Sequence, residues 1–264
     1  MTAGSTSPRF SEYFSWLYHG QWEGWSLVAI AALGICTAAF VYVGIPWIYA
    51  RLLRLLLKLK TSKARGLVLT FDDGPGNRLT LDILRILSEF NSKATFILLG
   101  RNIKGREDIV RQIAEQGHQI CSHGYDHLHY WKVSPLCAIQ DIKKGWEAID
   151  AALGTRQTKY AFRPPYGKLN IFCLLYLWIN RVPIVYWTID SRDTRTPRPD
   201  PHRVNLLPKK TSGAVTLTHD FDRDNDSWDQ LILESVRSTL DMAKETNMWV
   251  LTFSQLSSQK IPLK

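Results

Sequence analysis

The 264-residue sequence predicts an α/β fold, a distorted (β/α) barrel of about seven strands preceded by a transmembrane helix and a basic amphipathic segment. From residue 66 onward, short apolar runs of strand type alternate with stretches of helical period, the pattern of a parallel sheet with crossover helices. Asp72, His123, Arg163, Asp193 and His219 fall just after these runs. Loops at the C-terminal ends of barrel strands gather function, so one shared site explains all five. Ahead of the barrel, no charged residue occurs from Trp25 to Tyr49.

Residues 1–24 form a polar and aromatic segment of little periodicity. Residues 25–49 are long enough, at about 1.5 Å per residue, to cross the hydrocarbon layer as a single-pass anchor. Trp22, Trp25, Trp47 and Tyr49 lie at its margins, where amphipathic rings favour the headgroup level. A cleaved signal peptide fits less well, because only Arg9 precedes the apolar run, against Glu12 and Glu23. Gly44-Ile45-Pro46 is expected to break or kink the helix. Residues 50–65 then read as a basic juxtamembrane helix, with Arg51, Arg54 and Lys58 spaced three and four apart among leucines. Such a face suits the plane of a membrane interface or a continued span with snorkelling ends. Residues 1–65 carry a net charge of +5 and the remainder +4. Basicity concentrated beside an apolar span points to anionic headgroups, not nucleic acid. Arg51, Arg54, Lys58, Lys60, Lys63 and Arg65 all follow the span, so the positive-inside bias puts the following domain on the cytoplasmic side. Cys36, Cys121, Cys137 and Cys173 show no paired spacing and indicate neither a disulfide framework nor a cysteine zinc site.

Residues 66–258 form the catalytic domain. Leu67-Val68-Leu69 is a strand leading to Thr70-Phe71-Asp72-Asp73, and Gly74-Pro75 forces a turn. Asn77 is placed to cap a helix carrying Ile83, Leu84, Leu87 and Phe90. Further strands are expected at 94–99, 119–121, 160–162, 184–189, 214–218 and 249–253, with helices at about 104–116, 134–153, 168–180 and 228–246. A Pro- and Arg-rich loop occupies 194–203.

Adjacent residues leaving a strand point in different directions, so Asp72 and Asp73 can serve two roles. His123 and His127, four apart, would face the same way on a helical turn. With Asp73 they make a two-His, one-carboxylate set for one divalent cation, zinc by default, though Co2+, Ni2+ or Fe2+ would accept it. Such a cation polarises a carbonyl and acidifies water. Asp72 could then act as base and His219 as acid toward a leaving nitrogen, with Arg163 holding Asp72 ionised. Asp193 or Asp190 could orient His219; Asp193 is favoured. The backbone N–H of Tyr166, after Pro164-Pro165, could hold an oxyanion. Asp126 is either a support for a ligand ring or a loop residue, and His118, His129 and His202 are structural or solvated.

TFDDGP, HGYDH, RPPYG, DSRD and LTHD, in this order, resemble the five motifs of the polysaccharide deacetylase family, the nodulation-deacetylase-type carbohydrate esterases. The resemblance covers about residues 66–256. It implies a metal-dependent hydrolase that removes N-acetyl, or sometimes O-acetyl, groups from sugars. It also implies Asp72 as base, Asp73, His123 and His127 as metal ligands, Arg163 as contact to the base, and His219 as acid. Leu217 matches an apolar residue lining the acyl pocket, and Pro165 belongs to the substrate-binding motif. Two positions depart from the pattern. Gly124 stands where Ser or Thr usually follows the first metal histidine, which removes a hydrogen bond steadying the loop. Thr194 stands where an aromatic usually follows the second Asp of the fourth motif, which alters the wall of the acyl pocket.

The sequence thus points to a membrane-anchored sugar N-deacetylase. A cytoplasmic domain would meet a lipid-linked amino sugar, whereas an outward-facing one would meet peptidoglycan or an exported polysaccharide. A non-catalytic, membrane-tethered carbohydrate-binding protein is the contrasting class, and the intact Asp72, Asp73, His123, His127 and His219 argue against it.

Overall fold

The structure, a computed structural model, describes residues 26–156, 159–194, 212–223 and 226–258. The 1–24 segment with Trp22, Trp25, most of the 194–203 loop and His202 lie outside the described residues.

One helix, α1 (Ser26–Ala64), runs for 39 residues and is long and apolar enough to cross a membrane. Leu27, Val28, Ile30, Leu33 and Ile35 in its first half are exposed. The expected break at Gly44-Ile45-Pro46 is absent, and the anchor and juxtamembrane helices are continuous. The ladder instead widens into a π-helical turn at Phe40–Gly44, where the Ile45 N–H reaches the Phe40 carbonyl. Pro46 falls in the first turn after that widening, where its missing N–H is tolerated. The second half of α1 buries Pro46, Ala50 and Thr61 against the barrel. Arg65 ends it with a left-handed φ of 47° and feeds directly into the first strand.

The barrel strands are β1 (Gly66–Val68), β2 (Thr70–Asp72), β3 (Thr95–Leu98), β4 (Gln119–Ser122), β5 (Ile189–Asp190), β6 (Ala214–His219) and β7 (Trp249–Val250), and every pairing is parallel. The expected first strand is longer than its apolar run and is divided at Leu69. β6 flanks it throughout, while its other neighbour changes from β7 beside β1 to β3 beside β2. The strand expected at 160–162 is reduced to bridges from Phe162 to Ser122 and to Ile184, and the 184–189 run pairs fully only at its end as β5. Those bridges carry the ring from β4 to β5, and β5 pairs β6, which returns to β2. Pro164, Pro165 and Pro183 lack N–H donors, so a long ladder cannot form there.

Around the barrel lie α2 (Leu79–Glu89), the short α3 (Gly100–Ile103), α4 (Glu107–Glu115), α5 (Pro135–Leu153), α6 (Ile171–Ile179) and α7 (Asp226–Glu245). Apolar positions at helical spacing turn inward, as with Ile83, Leu84 and Leu87 of α2. Ser134 and Asn170 cap α5 and α6 through their side-chain oxygens. Asn77 does not cap α2. Asp222, far along the chain, accepts from the N–H groups of Asn77, Arg78 and Leu79 instead, while Asn77 accepts from Arg106. A last helix, α8 (Phe253–Ser258), closes the bottom: Phe253 N–H meets Thr95 and Ser254 N–H meets Gln119, the first residues of β3 and β4. All four cysteines are free thiols.

Candidate active site

The end of β2 delivers Asp72 and Asp73 to the open end of the barrel. Asp72 is 2% exposed, and its two oxygens face different partners. Oδ1 accepts from Arg163 Nη1 at 2.5 Å, while Oδ2 faces His123 Nε2 at 3.8 Å. Arg163 is fully buried and also donates to Thr70 Oγ1 at 2.7 Å and to the Val185 carbonyl. A guanidinium this deep requires a fixed anion, and Asp72 is that anion.

Asp73 turns away from Asp72 through a left-handed φ of 66°. One ligand atom each from Asp73, His123 and His127 lie within 4.8 Å of one another. His123 Nε2 stands 3.6 Å and His127 Nε2 3.5 Å from Asp73 Oδ1, which is buried and has no hydrogen-bond partner among the described residues. The His123 Nδ1–H donates to the Arg163 carbonyl at 2.7 Å, leaving Nε2 as the electron-pair donor. Burial, then the neighbouring His123, push His127 down to about 4 against the pull of Asp73, so its imidazole is neutral. An orphaned carboxylate oxygen beside the Nε2 atoms of two imidazoles fits a divalent cation.

The two histidines do not share a helical turn. His123 follows β4 directly, and the loop doubles back through Gly124 at φ 81° and His127 at φ 58°. The loss of Ser or Thr at 124 does not leave this loop unsupported. Asp141 of α5 accepts from the Asp126 N–H at 2.8 Å and from the Tyr130 hydroxyl at 2.7 Å. A Cβ on Gly124 would overlap the Asp141 carboxylate. Asp126 itself is exposed and serves the loop through its backbone.

His219, at the end of β6, approaches from the other side, with Nε2 4.0 Å from Asp73 Oδ2. Asp193 Oδ1 bonds His219 Nδ1 at 2.8 Å, and Asp193 Oδ2 accepts from the His219 N–H at 3.0 Å and from Arg223 Nη2 at 2.9 Å. Asp190 accepts from the Arg192 N–H within its own turn. Burial opposes charge on His219, but the charge and hydrogen bond of Asp193, with Asp72 and Asp73 beyond, outweigh it and raise His219 to about 9. Burial likewise opposes charge on Asp193, yet His219, Arg223 and Ser191 hold its carboxyl below the usual range.

Tyr166 has a left-handed φ of 56°, and its ring lies 4.5 Å from that of His127 and 5.2 Å from that of His129, which brings His129 to the rim of the site. The turn is closed by the Gly167 N–H on the Pro164 carbonyl. Pro165 is buried at its start, and Leu217 is buried within β6. Neither lines the cavity of about 330 Å³ beside Asp73 and His127, whose walls also include Arg101, Asn102 and Phe221. Thr194 is exposed. Phe221, 6.0 Å from the His219 ring, supplies an aromatic wall that the sequence reading missed. Also missed was Asp220. It is buried under Gly74, accepts from Thr80 Oγ1 at 2.6 Å, and is pushed up by burial to about 7. His118 is buried and accepts from the Ala94 N–H, a structural role.

The family model described as Polysaccharide deacetylase matches residues 59–174. A chitooligosaccharide deacetylase of Rhizobium leguminosarum bv. trifolii is 33% identical over 60% of this chain and 73% of its own length. The peptidoglycan-N-acetylglucosamine deacetylase PgdA of Listeria monocytogenes is 30% identical over 78% of this chain, which spans 41% of that protein. Among solved structures, the Bc1960 peptidoglycan N-acetylglucosamine deacetylase superposes with a TM-score of 0.65 at 28% identity, covering 73% of this chain and 87% of that one. With the five motifs assembled at one end of a parallel barrel and a relative of this identity covered over most of its length, the chain belongs to the polysaccharide deacetylase family.

Proposed function

We propose that the protein is a membrane-anchored, metal-dependent N-deacetylase that hydrolyses the acetamide of an N-acetylated amino sugar. The observation that carries this reading is the division of labour at the end of β2. Asp72 is held by Arg163 through one oxygen and presents the other toward the ligand atoms, while Asp73 is left to the cation site. Asp73, His123 and His127 would hold one divalent cation, zinc in the first instance, which when bound supplies Lewis acidity for carbonyl polarisation and water activation.

Asp72 takes the proton of the attacking water, since Arg163 holds and aims its carboxylate. His219, charged at neutral pH and steered by Asp193, gives its proton to the departing nitrogen, so acetate and a free amine result. The Tyr166 N–H, on a left-handed residue whose ring lies against His127, would donate to the developing oxyanion. Leu217 and Pro165, both buried, would support the acyl group from behind instead of lining its pocket as the family motifs imply.

The apolar first half of the 39-residue helix α1 supports a single-pass anchor, and the cluster of basic residues in its second half supports a cytoplasmic domain. On that side the substrate is a lipid-linked sugar. The Listeria peptidoglycan deacetylase and the Rhizobium chitooligosaccharide deacetylase favour a second substrate reading, a peptidoglycan or chitin-type chain. The test is acetate release by purified full-length protein from a lipid-linked N-acetylhexosamine and from a chitin oligomer, each with and without chelator. Chelator-sensitive release from either supports the chemistry, and the preferred substrate decides between carriers. No release from either by metal-loaded protein would refute the reading.

A further inference from the structure

The outward face of α6 is a continuous apolar stripe. Phe172 is 51% exposed, Leu175 44%, Trp178 71% and Ile179 72%, whereas Cys173, Leu174 and Leu177 on the other side are buried. Positions at i, i+3, i+6 and i+7 share one helix face, and a stripe this large on a soluble surface marks an interaction site.

Its surroundings indicate what covers it. α6 packs against the π-helical turn and the following half of α1, and the Phe172 ring lies 6.3 Å from that of Tyr42. Tyr42 stands about 24 Å along α1 from Ser26, at 1.5 Å per residue, which is within the roughly 30 Å hydrocarbon thickness of a bilayer. The stripe therefore begins just inside the depth at which a span starting near Ser26 leaves the hydrocarbon. Exposed Arg51 and Lys58 on α1 and Arg181 just beyond α6 supply positive charge for anionic headgroups. Trp178 is the residue type that favours the headgroup level.

We propose that α6 is a second membrane-contact element, whose outer stripe enters the headgroup–acyl boundary beside α1 and seats the domain on the bilayer. This rests on the reading of α1 as a spanning anchor. It also deepens the substrate assignment. α6 follows the turn Pro165–Gly167 after only Lys168, Leu169 and Asn170, and that turn sets Tyr166 against His127. The rim of the site is thus tied to the membrane surface, and the substrate class it serves is an acylated amino sugar carried on a lipid.

The test uses full-length protein in nanodiscs of phosphatidylcholine and phosphatidylglycerol. Nitroxide labels are placed by Trp178→Cys or Ile179→Cys in a Cys36→Ser, Cys137→Ser background, with Leu136→Cys, at an exposed position of α5, as control. Relaxation by oxygen is compared with relaxation by a water-soluble paramagnetic chelate. The α6 labels should be reached by oxygen and shielded from the chelate, and the control label should show the reverse. Chelate access at α6 equal to that at the control would overturn the proposal. So would shielding from both relaxants together with a dimeric mass, which would make the occupant a second copy of the chain. Independently, Phe172→Ser with Trp178→Ser should leave chitin-oligomer turnover intact and lower turnover of a bilayer-embedded N-acetylglucosaminyl lipid about ten-fold. Equal lipid turnover by variant and wild type would refute the substrate assignment. Wild-type protein inactive on both substrates would strike the deacetylase reading alone, and the label depths would still decide this one.

Discussion

Arg54 of α1 stacks on Trp187, its guanidinium 4.1 Å from the indole centroid, and the same indole lies 5.6 Å from the guanidinium of Arg163. The helix that reads as a membrane anchor therefore touches the residue that touches the partner of Asp72. Gly167 is packed into the same contact, since a Cβ there would meet both Arg54 Nη2 and Trp187 Cη2 at 2.7 Å. Stacking of this kind contributes about 0.5–2 kcal/mol. Arg54→Ala should lower kcat several-fold while metal content stays unchanged, and Arg54→Lys should recover part of the loss. A kcat equal to wild type would separate α1 from the site.

Removing a metal ligand should act on binding and turnover together. Asp73→Ala and His127→Ala are each expected to abolish stoichiometric zinc in the purified protein and acetate release with it. Retained metal by elemental analysis would reassign the site.

Asp72→Asn should behave differently. Metal content stays, because Asp73, His123 and His127 remain, but loss of a general base costs about 10²–10⁴-fold in kcat. The same change leaves the buried Arg163 charge without its anion, so the melting temperature should fall as well, by the equivalent of about 3–5 kcal/mol. Turnover near wild type would sink the base assignment.

The Asp193–His219 pair makes the pH dependence readable. His219 must be protonated to act as acid, and its folded pKa is raised to about 9. Activity should therefore fall as pH rises through that value. The sign for stability is the same: the charged pair contributes fully below the ordinary histidine value of about 6.5, and the contribution is lost as pH climbs toward about 9. Asp193→Asn removes the principal favourable charge, so the alkaline limb of kcat/KM should move to lower pH. An unmoved limb would assign it to another group.

Gly124→Ser restores the residue type common in the family but should harm this chain. Position 124 has φ 81°, and any Cβ would collide with Asp141. Such strain costs about 1–3 kcal/mol, so the variant should melt lower and bind zinc more weakly. Unchanged zinc affinity would show that the Asp141 contact does not position His123 and His127.

Much of the barrel was legible because its signals are local. The apolar runs at 94–99 and 214–218 and the helical spacing of 134–153 with Ser134 and Gly154 at its ends correspond to β3, β6 and α5. Asp72, Asp73, His123, Arg163, Asp193 and His219 could be singled out because each stands where a strand or its remnant ends. Other features depend on residues far apart in the chain. Asp222 caps α2, Asp141 supports the 123–127 loop, and Phe162 closes the ring through single bridges. Left-handed residues bring His123 and His127 together where a helical turn was expected, and a π turn carries α1 past Pro46. By itself the sequence determined the order of elements, the apolar span and the reactive side chains, because periodicity, turn residues and motif spacing act over a few positions. Only the tertiary structure decided that Arg54 reaches Trp187, that Asp193 rather than Asp190 meets His219, and that the apolar side of α6 lies beside α1. Those contacts exist only once the barrel has closed and brought distant segments within bonding distance.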